Sequence, residues 1–205
     1  MTQQTQEIRK GRKFDQVIEG ARKVFLRDGF EGASVDDIAR EAGVSKATLY
    51  SYFPDKRLLF LEICNRECRR QTEEAEAAMD YSAPVEAMLT FAAERITGFL
   101  VSDFGRNMFR LVVAEGQRFP DIGRTFWRNG PGLIHDRLVH HMRHMVQMGL
   151  LRIEDYDLAA DQFAQLCKAQ IHEKLIFGLA DEITAEDVRK SVTGAVEMFM
   201  ARYGA

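Results

Sequence analysis

Hydrogen-bonding side chains are concentrated in one short segment, which reads Ser45-Lys46-Ala47-Thr48-Leu49-Tyr50-Ser51-Tyr52. If this segment is a helix with Leu49 and Phe53 facing a core, its outer surface offers an ammonium group, three hydroxyls and two phenols. Such groups bind phosphate oxygens and the edges of bases. The small side chain of Ala47 lets the helix approach a target closely. These residue types therefore indicate a surface that binds nucleic acid.

Signals for the start and end of helices surround this segment. Ser34 is a good N-cap for a preceding short helix, which ends at Gly43. Ser45 can cap the next helix, and Pro54 ends it. Two short helices joined by a glycine turn are typical of a helix-turn-helix, whose second helix enters the major groove of DNA. The sequence therefore predicts a helix-turn-helix over residues 34–53.

The charge of the chain is locally biased. A net charge of −3 at pH 7 argues against binding nucleic acid through bulk positive charge. Residues 1–60, however, hold 11 Lys and Arg against 9 Asp and Glu, whereas residues 61–205 hold 17 against 22. The run Arg9-Lys10-Gly11-Arg12-Lys13 could follow a phosphate strand or enter the minor groove. Its alternative role is that of a solubilising tail.

The remainder of the chain also has helical periodicity. Apolar residues recur at intervals of three and four after Pro84, and no strand pattern competes with this spacing. A first helix over residues 14–29 precedes the helix-turn-helix. Further helices are predicted over residues 56–80, 84–101, 104–117, 121–128, 131–148, 156–179 and 185–203. We therefore expect an all-α protein.

The stretch from Phe30 to Lys56, FEGASVDDIAREAGVSKATLYSYFPDK, resembles the DNA-binding domain of TetR-family transcriptional repressors nearly residue for residue. The resemblance implies a three-helix DNA-binding domain over residues 10–70. It also implies a larger helical domain over residues 71–205 that binds an effector and forms the dimer. A member of this family is expected to be a homodimeric repressor that a small molecule releases from a palindromic operator in double-stranded DNA.

The resemblance also implies roles for individual residues. Ser34, Ser45 and Lys46 are expected to touch the DNA backbone, and Lys56 to hold a phosphate. The residues expected at base edges or phosphates are Ala47, Thr48, Tyr50 and Tyr52. Ser51 departs from the family pattern, which often has a larger aromatic residue or a histidine there, so the bases read at this position stay open. The two tyrosines could instead pack against the core.

The C-terminal half resembles the AefR-like group of the same family around residues 109–131, where Phe109, Gly116 and Trp127 lie. An apolar cavity is the default ligand site of such a domain. The candidate lining residues are Phe91, Arg95, Phe99, Met108, Phe109, Glu115, Trp127 and His135, of which Arg95, Glu115 and His135 would supply polar contacts. We expect a largely apolar effector, for which an aromatic compound is one candidate.

Histidines and cysteines give weak signals for metal or redox chemistry. His135, His140, His141 and His144 could place pairs of imidazoles on one helical face, but they spread around the helix and have no acidic or Cys partner at fixed spacing. The segment 172–176 begins like a zinc-protease helix but has Ile176 where the second histidine is required. Cys64 and Cys68 could sense oxidants, yet are most simply reduced thiols. We expect no metal and no cofactor.

Surplus apolar residues in the last two predicted helices, over 156–179 and 185–203, predict a homodimer built through them.

No segment is long and apolar enough for a membrane span or an uninterrupted signal region, so we expect a cytoplasmic protein without a membrane partner. The sequence has no phosphate-binding loop and no nucleophile with a recognisable base, so nothing in it indicates an enzyme. The alternative is a helical carrier or enzyme whose N-terminal helices do not read DNA.

Overall fold

A computed structural model describes residues 11–180 and 183–205 of the protein. Within these residues the chain is helical, as predicted, and the only β-type pairing is an isolated bridge between Leu151 and Gly204. The chain divides into two compact units, the first ending at Arg66 and the second beginning at Glu67. The resemblance places this boundary after residue 70, in the same helix.

The helices follow the predicted order with one exception. The first unit contains α1 (Arg12–Gly32), α2 (Val35–Ala42), α3 (Lys46–Tyr52) and the start of α4 (Lys56–Ala77). The second unit contains the rest of α4, then α5 (Val85–Val101), α6 (Asp103–Glu115), α7 (Pro120–Asn129), α8 (Pro131–Gln147), α9 (Tyr156–Leu166), α10 (His172–Ile176) and α11 (Ala185–Tyr203). The exception is the predicted helix over 156–179, which is divided into α9 and α10.

The first unit is held together by the apolar face of α1. Buried residues recur along it at intervals of three and four, and they are Phe14, Val17, Ile18, Ala21, Val24 and Phe25. Gly29 interrupts the helix with a φ of 71°, a left-handed conformation that favours glycine. Ile38, Leu49 and Phe53 from the following elements complete this core.

The core of the second unit lies among α5, α8, α9 and α11. Its largest fully buried side chains include Phe163 and Phe199, whose rings meet edge to face at 5.1 Å between centroids. α9 and α11 are antiparallel, because Tyr203 donates a hydrogen bond to Gln162 near one end while Ser191 donates to the carbonyl of Ala169 near the other. Most apolar residues of the two predicted dimer helices are therefore used within the chain.

The prediction of one continuous helix over 156–179 is wrong. The chain leaves the helix after Leu166, and Gln170 has a φ of 69°, which an α-helix cannot accommodate. The carbonyls released by this break find other donors: the hydroxyl of Thr97 bonds to the carbonyl of Cys167 at 3.2 Å, and that of Ser191 to Ala169 at 3.1 Å. Periodicity did not reveal the break because the apolar spacing continues across it.

Within the described ranges, none of the helices combines the length and the apolar character that crossing a bilayer requires.

Candidate nucleic-acid interface and ligand cavity

The start of α3 is fixed by local hydrogen bonds. Gly43 ends α2 with a φ of 63°, and its amide bonds back to the carbonyl of Arg40 at 3.1 Å. Ser45 then caps α3, because its hydroxyl accepts a hydrogen bond from the amide of Thr48 at 3.1 Å. The hydroxyls of Ser45 and Thr48 also share a hydrogen bond of 2.9 Å. Both hydroxyls therefore hold the turn that presents the rest of α3.

One face of α3 is exposed and carries polar side chains. Leu49 is 1% exposed and fixes the inner face, whereas Tyr50 is 47% exposed. Lys46 and Ala47 are also exposed at the start of the helix. The ammonium of Lys46 pairs with Asp36 of α2, and both side chains are open to solvent. Such a surface pair contributes little stability, so Lys46 can exchange this carboxylate for a phosphate at low cost.

Tyr52 is positioned differently from Tyr50. Its ring packs edge to face on Phe14 of α1, with 5.5 Å between centroids, and the side chain is half-buried. The alternative interpretation, in which a tyrosine packs against the core, therefore describes the ring of Tyr52 but not that of Tyr50. The predicted contact of Tyr52 with DNA is therefore made by its phenol hydroxyl.

Ser34 and Lys56 make structural contacts within the first unit. The hydroxyl of Ser34 accepts a hydrogen bond from the amide of Asp37 at 3.0 Å and caps α2. The ammonium of Lys56 donates to the carbonyls of Phe30 at 2.8 Å and Ala33 at 3.0 Å, and it lies 4.4 Å from the centroid of the Phe30 ring. An ammonium has three N–H donors, so one remains for the predicted phosphate contact.

The predicted basic arm is only partly described. Arg9 and Lys10 lie outside the described residues. Gly11 is the N-cap residue of α1, and Arg12 and Lys13 lie exposed in its first turn. The described part of the arm is therefore the start of a helix.

The second unit contains a cavity of about 540 Å³, which is within the range of small-molecule sites. Helices α4 to α9 and the segment that follows α9 surround it. Seven of the eight residues predicted for a ligand pocket line this cavity, and they are Phe91, Arg95, Phe99, Met108, Phe109, Trp127 and His135. Further apolar lining residues are Met79, Ile96, Phe126, Ile134 and Leu138.

Glu115 does not line the cavity. It is the last residue of α6, seven positions after Met108. Since a helix rises about 1.5 Å per residue, Glu115 lies about 10 Å further along the axis, although it shares the angular position of Met108. The prediction that Glu115 supplies a polar contact to this pocket is therefore wrong.

Other polar residues of the cavity wall have partners. The imidazole of His135 is 3.7 Å from the carboxylate of Asp157 and 3.9 Å from that of Asp161. The guanidinium of Arg95 lies 5.0 Å from the centroid of the Phe91 ring. His141 is 3.1 Å from a carboxylate oxygen of Glu76. These contacts orient the side chains without filling the cavity.

Lys168 and His172 also line the cavity, and the sequence analysis did not predict them to bind a ligand. His172 is only 7% exposed, and burial lowers the pKa of its imidazole, with a further contribution from Lys168. The turn between α9 and α10 brings the two residues together, since the amide of His172 donates a hydrogen bond to the carbonyl of Lys168 at 3.2 Å. The periodicity of the sequence did not point to them.

The surroundings of the histidines and cysteines bear on the weak metal and redox signals in the sequence. No group of three potential metal ligands occurs among the described residues. Burial raises the pKa of the Cys68 thiol to about 12, and that of the Cys167 thiol to about 12 as well. Because the thiolate is the reactive form, these thiols are poor nucleophiles at neutral pH. Cys64 is buried too.

Comparisons with known proteins identify the class. Residues 17–63 match the bacterial regulatory proteins of the tetR family, and residues 87–205 match the C-terminal domain of AefR-like transcriptional repressors. The second match alone covers more than half of the chain. The chain therefore belongs to the TetR family of transcriptional regulators.

Similar proteins agree with this assignment. The transcriptional regulator YhgD of Bacillus subtilis is 34% identical over 188 residues, which are 91% of this chain and 93% of that protein. A TetR-family regulator from Mesorhizobium loti has a structure that matches with a TM-score of 0.83 at 25% identity, covering 97% of this chain and all of its own. The flavonoid-responsive regulator FrrA matches with a TM-score of 0.69 at 30% identity, covering 95% of this chain and 98% of its own. The chain is a DNA-binding transcriptional regulator with a helix-turn-helix.

Proposed function

We propose that the protein is a homodimeric repressor that reads a palindromic operator through α3 and leaves it when a small molecule fills the cavity of the second unit. The observation that carries this proposal is the geometry of α3. Its inner side is fixed by Leu49, while Lys46, Ala47 and Tyr50 are exposed beside a glycine turn. A helix held in this way presents its N-terminal residues to the major groove.

The division of roles on α3 follows from its contacts. Lys46 supplies a mobile ammonium for a phosphate, and Tyr50 supplies a phenol for a base edge or a phosphate. The hydroxyls of Ser34 and Ser45 cap α2 and α3, and the hydroxyl of Thr48 bonds to that of Ser45. We propose that these three residues contact DNA at the starts of the two helices. We propose that Tyr52 and Lys56 complete the surface through the phenol hydroxyl and the remaining ammonium donor.

We propose that α9 and α11 pack against their two-fold mates. Two large apolar side chains of these helices remain open to solvent, Leu158 at 50% and Met198 at 62% exposed. Because a two-fold interface uses the same patch on both subunits, side chains of this kind pack against equivalent ones in the partner. The resulting dimer sets the distance between the two α3 helices and thus the spacing of the operator half-sites.

The effector is proposed to be a largely apolar, aromatic molecule. Aromatic and aliphatic side chains make up most of the lining described above, and such walls favour apolar ligands. FrrA, which is named a flavonoid-responsive regulator, is one of the similar proteins. The protein leaves the operator if the ligand binds more tightly to a dimer whose two α3 helices do not match the spacing of the half-sites. No catalytic step is part of this proposal, and a protein that binds bacterial DNA acts in the cytoplasm.

The proposal is tested by selecting bound sequences from a random DNA library with the purified protein at near-physiological salt. Enrichment of one palindromic site supports a sequence-specific dimeric regulator. The variant Lys46→Ala/Tyr50→Ala should lose this enrichment, whereas Lys174→Ala/Tyr81→Ala, which changes exposed residues of the second unit, should keep it. If folded, dimeric protein enriches no site, the alternative of a helical small-molecule carrier takes precedence.

A further inference from the structure

The imidazole of His172 is buried at the wall of the cavity without a hydrogen-bond partner among the described residues. Among the rings of the described residues, it contacts that of Phe109, which it meets edge to face at 4.8 Å between centroids. Every fully buried polar side-chain atom in the described ranges has a hydrogen-bond partner. The ring nitrogens of His172 have none, so they are not fully enclosed by protein, and the open volume beside this side chain is the cavity.

Lys168 brings a positive charge to the same wall. Its side chain is half-buried, and no carboxylate of the described residues lies within ion-pair distance of its ammonium. Arg70 pairs with Glu67 and Glu74, and Arg95 lies over Phe91. Arg137, which also lines the cavity, interacts electrostatically with the carboxylate of Glu76. Lys168 and His172 are therefore polar groups that the protein leaves available to a ligand.

The backbone that carries these two residues is held in place by neighbouring helices. Thr97 of α5 donates a hydrogen bond to the carbonyl of Cys167, and Arg110 of α6 donates to the carbonyl of Leu175 at 2.9 Å. Both ends of the segment are thereby fixed to the walls of the cavity. A pair of polar groups on a fixed segment loses little conformational entropy when it binds.

The chemistry of the pair selects a particular ligand group. A neutral imidazole has one donor and one acceptor nitrogen, and an ammonium offers only donors. A phenol hydroxyl can accept from the ammonium while it donates to the imidazole. A carboxylate could accept from the ammonium and from the imidazole N–H, but its charge would enter a cavity that Glu74, Glu76, Glu94 and Asp161 also line. An ether has no donor at all. The aromatic lining of the same cavity suits the ring that carries such a hydroxyl.

We propose that Lys168 and His172 bind the phenolic hydroxyl of an aromatic effector and thereby orient it in the cavity. This inference rests on the proposed function in that it names the chemical class of the effector. The rest of the molecule lies along the apolar wall formed by residues such as Phe99, Phe109 and Ile134.

Isothermal titration calorimetry with three matched probes tests this proposal without DNA. The probes are 4-phenylphenol, 4-methoxybiphenyl and biphenyl-4-carboxylate, which share the aromatic body and differ in the polar group. The wild-type protein should bind 4-phenylphenol about tenfold more tightly than the methyl ether, as expected for a buried hydrogen bond. It should also prefer the phenol to the carboxylate.

Variants assign the preference to the two residues. Lys168→Met and His172→Leu should each bring the affinities for phenol and methyl ether to within about twofold, whereas His172→Gln, which keeps a donor and an acceptor, should restore part of the preference. Lys174→Met is the matched control, since Lys174 is exposed on α10 and does not line the cavity. Thermal unfolding verifies that each variant folds, and the half-buried Lys168 position is the more tolerant of the two.

The proposal is overturned if wild-type protein binds the three probes equally or prefers the carboxylate, if the preference survives in both Lys168→Met and His172→Leu, or if no probe binds up to its solubility limit. These outcomes differ from a failure of the proposed function. A protein that prefers the phenol through these residues but enriches no DNA site would be a phenol-binding carrier rather than a repressor.

Discussion

Gly20 of α1 lies directly against the backbone of Ala42 of α2. A Cβ atom on Gly20 would be 2.6 Å from the amide nitrogen of Ala42 and 2.7 Å from its Cα. Contacts this short do not occur, so the close approach of these two helices requires glycine at position 20. Ala42 immediately precedes the turn at Gly43 that leads to α3, and the placement of α3 therefore depends on this contact.

Gly20→Ala should destabilise the first unit by about 1–3 kcal/mol, because backbone atoms of α2 have to move to accommodate the methyl group. Urea unfolding followed by circular dichroism measures this change. The matched control is Gly123→Ala in α7, where a Cβ meets nothing within 4 Å. That variant should be neutral or more stable by up to about 1 kcal/mol, owing to the higher helix propensity of alanine. Equal stability of Gly20→Ala and wild type would contradict the packing described.

Lys56→Met should also destabilise the first unit, by about 1–3 kcal/mol, because the carbonyls of Phe30 and Ala33 lose a charged donor. Lys46→Met is the control for stability. Its exposed pair with Asp36 contributes at most about 1 kcal/mol. DNA affinity should be measured at a temperature where both variants are folded. If the main role of Lys56 is structural, Lys46→Met should then bind DNA more weakly than Lys56→Met. A Lys56 variant of wild-type stability would show that the two hydrogen bonds contribute little.

His172 should make stability depend on pH. Its folded-state pKa is lowered from 6.5, mainly by burial, so the unfolded chain takes up a proton first as the pH falls. Its contribution therefore lowers stability as the pH decreases through about 6.5. The free energy of unfolding of wild type should fall more between neutral and mildly acidic pH than that of His172→Gln. His140→Gln, which changes an exposed histidine of α8, should behave as wild type; the same pH dependence in His172→Gln would exclude His172 as the cause.

Leu158→Glu/Met198→Glu should convert the proposed dimer to a monomer. Placing charges at positions that become buried between subunits costs several kcal/mol, because each carboxylate loses its hydration. Sedimentation velocity at micromolar concentration measures the change. Met148→Glu, at another exposed apolar position, serves as the control and should remain dimeric. A monomeric wild-type protein under the same conditions would refute the dimer itself.

The sequence predicted the first unit well because local signals determine it. Ser34 and Ser45 cap their helices, Gly29 and Gly43 adopt left-handed conformations, and Leu49 is buried as its spacing indicates. Each of these outcomes depends on the residue itself and its near neighbours in the chain. The contact of Gly20 with Ala42 was not predicted, since it joins residues that are distant in sequence.

The second unit was predicted less completely. Aromatic and methionine content identified much of the cavity lining, but the division of α9 from α10 depends on hydroxyls of Thr97 and Ser191, which come from other helices. That division places Lys168 and His172 at the cavity wall, so these residues could not be recognised from periodicity. Glu115 was misplaced because angular position on a helix says nothing about distance along its axis.

The most direct test of the central claim is the affinity of the purified protein for the site enriched from the random library, measured by fluorescence anisotropy over a range of salt concentrations. Wild-type affinity should fall steeply with salt, as counterions are released from neutralised phosphates. Lys46→Ala should reduce the slope of log affinity against log salt by about 1, and Tyr50→Ala should cost about 1–3 kcal/mol at constant salt. Unchanged affinity and salt dependence in both variants would contradict the claim that α3 reads DNA.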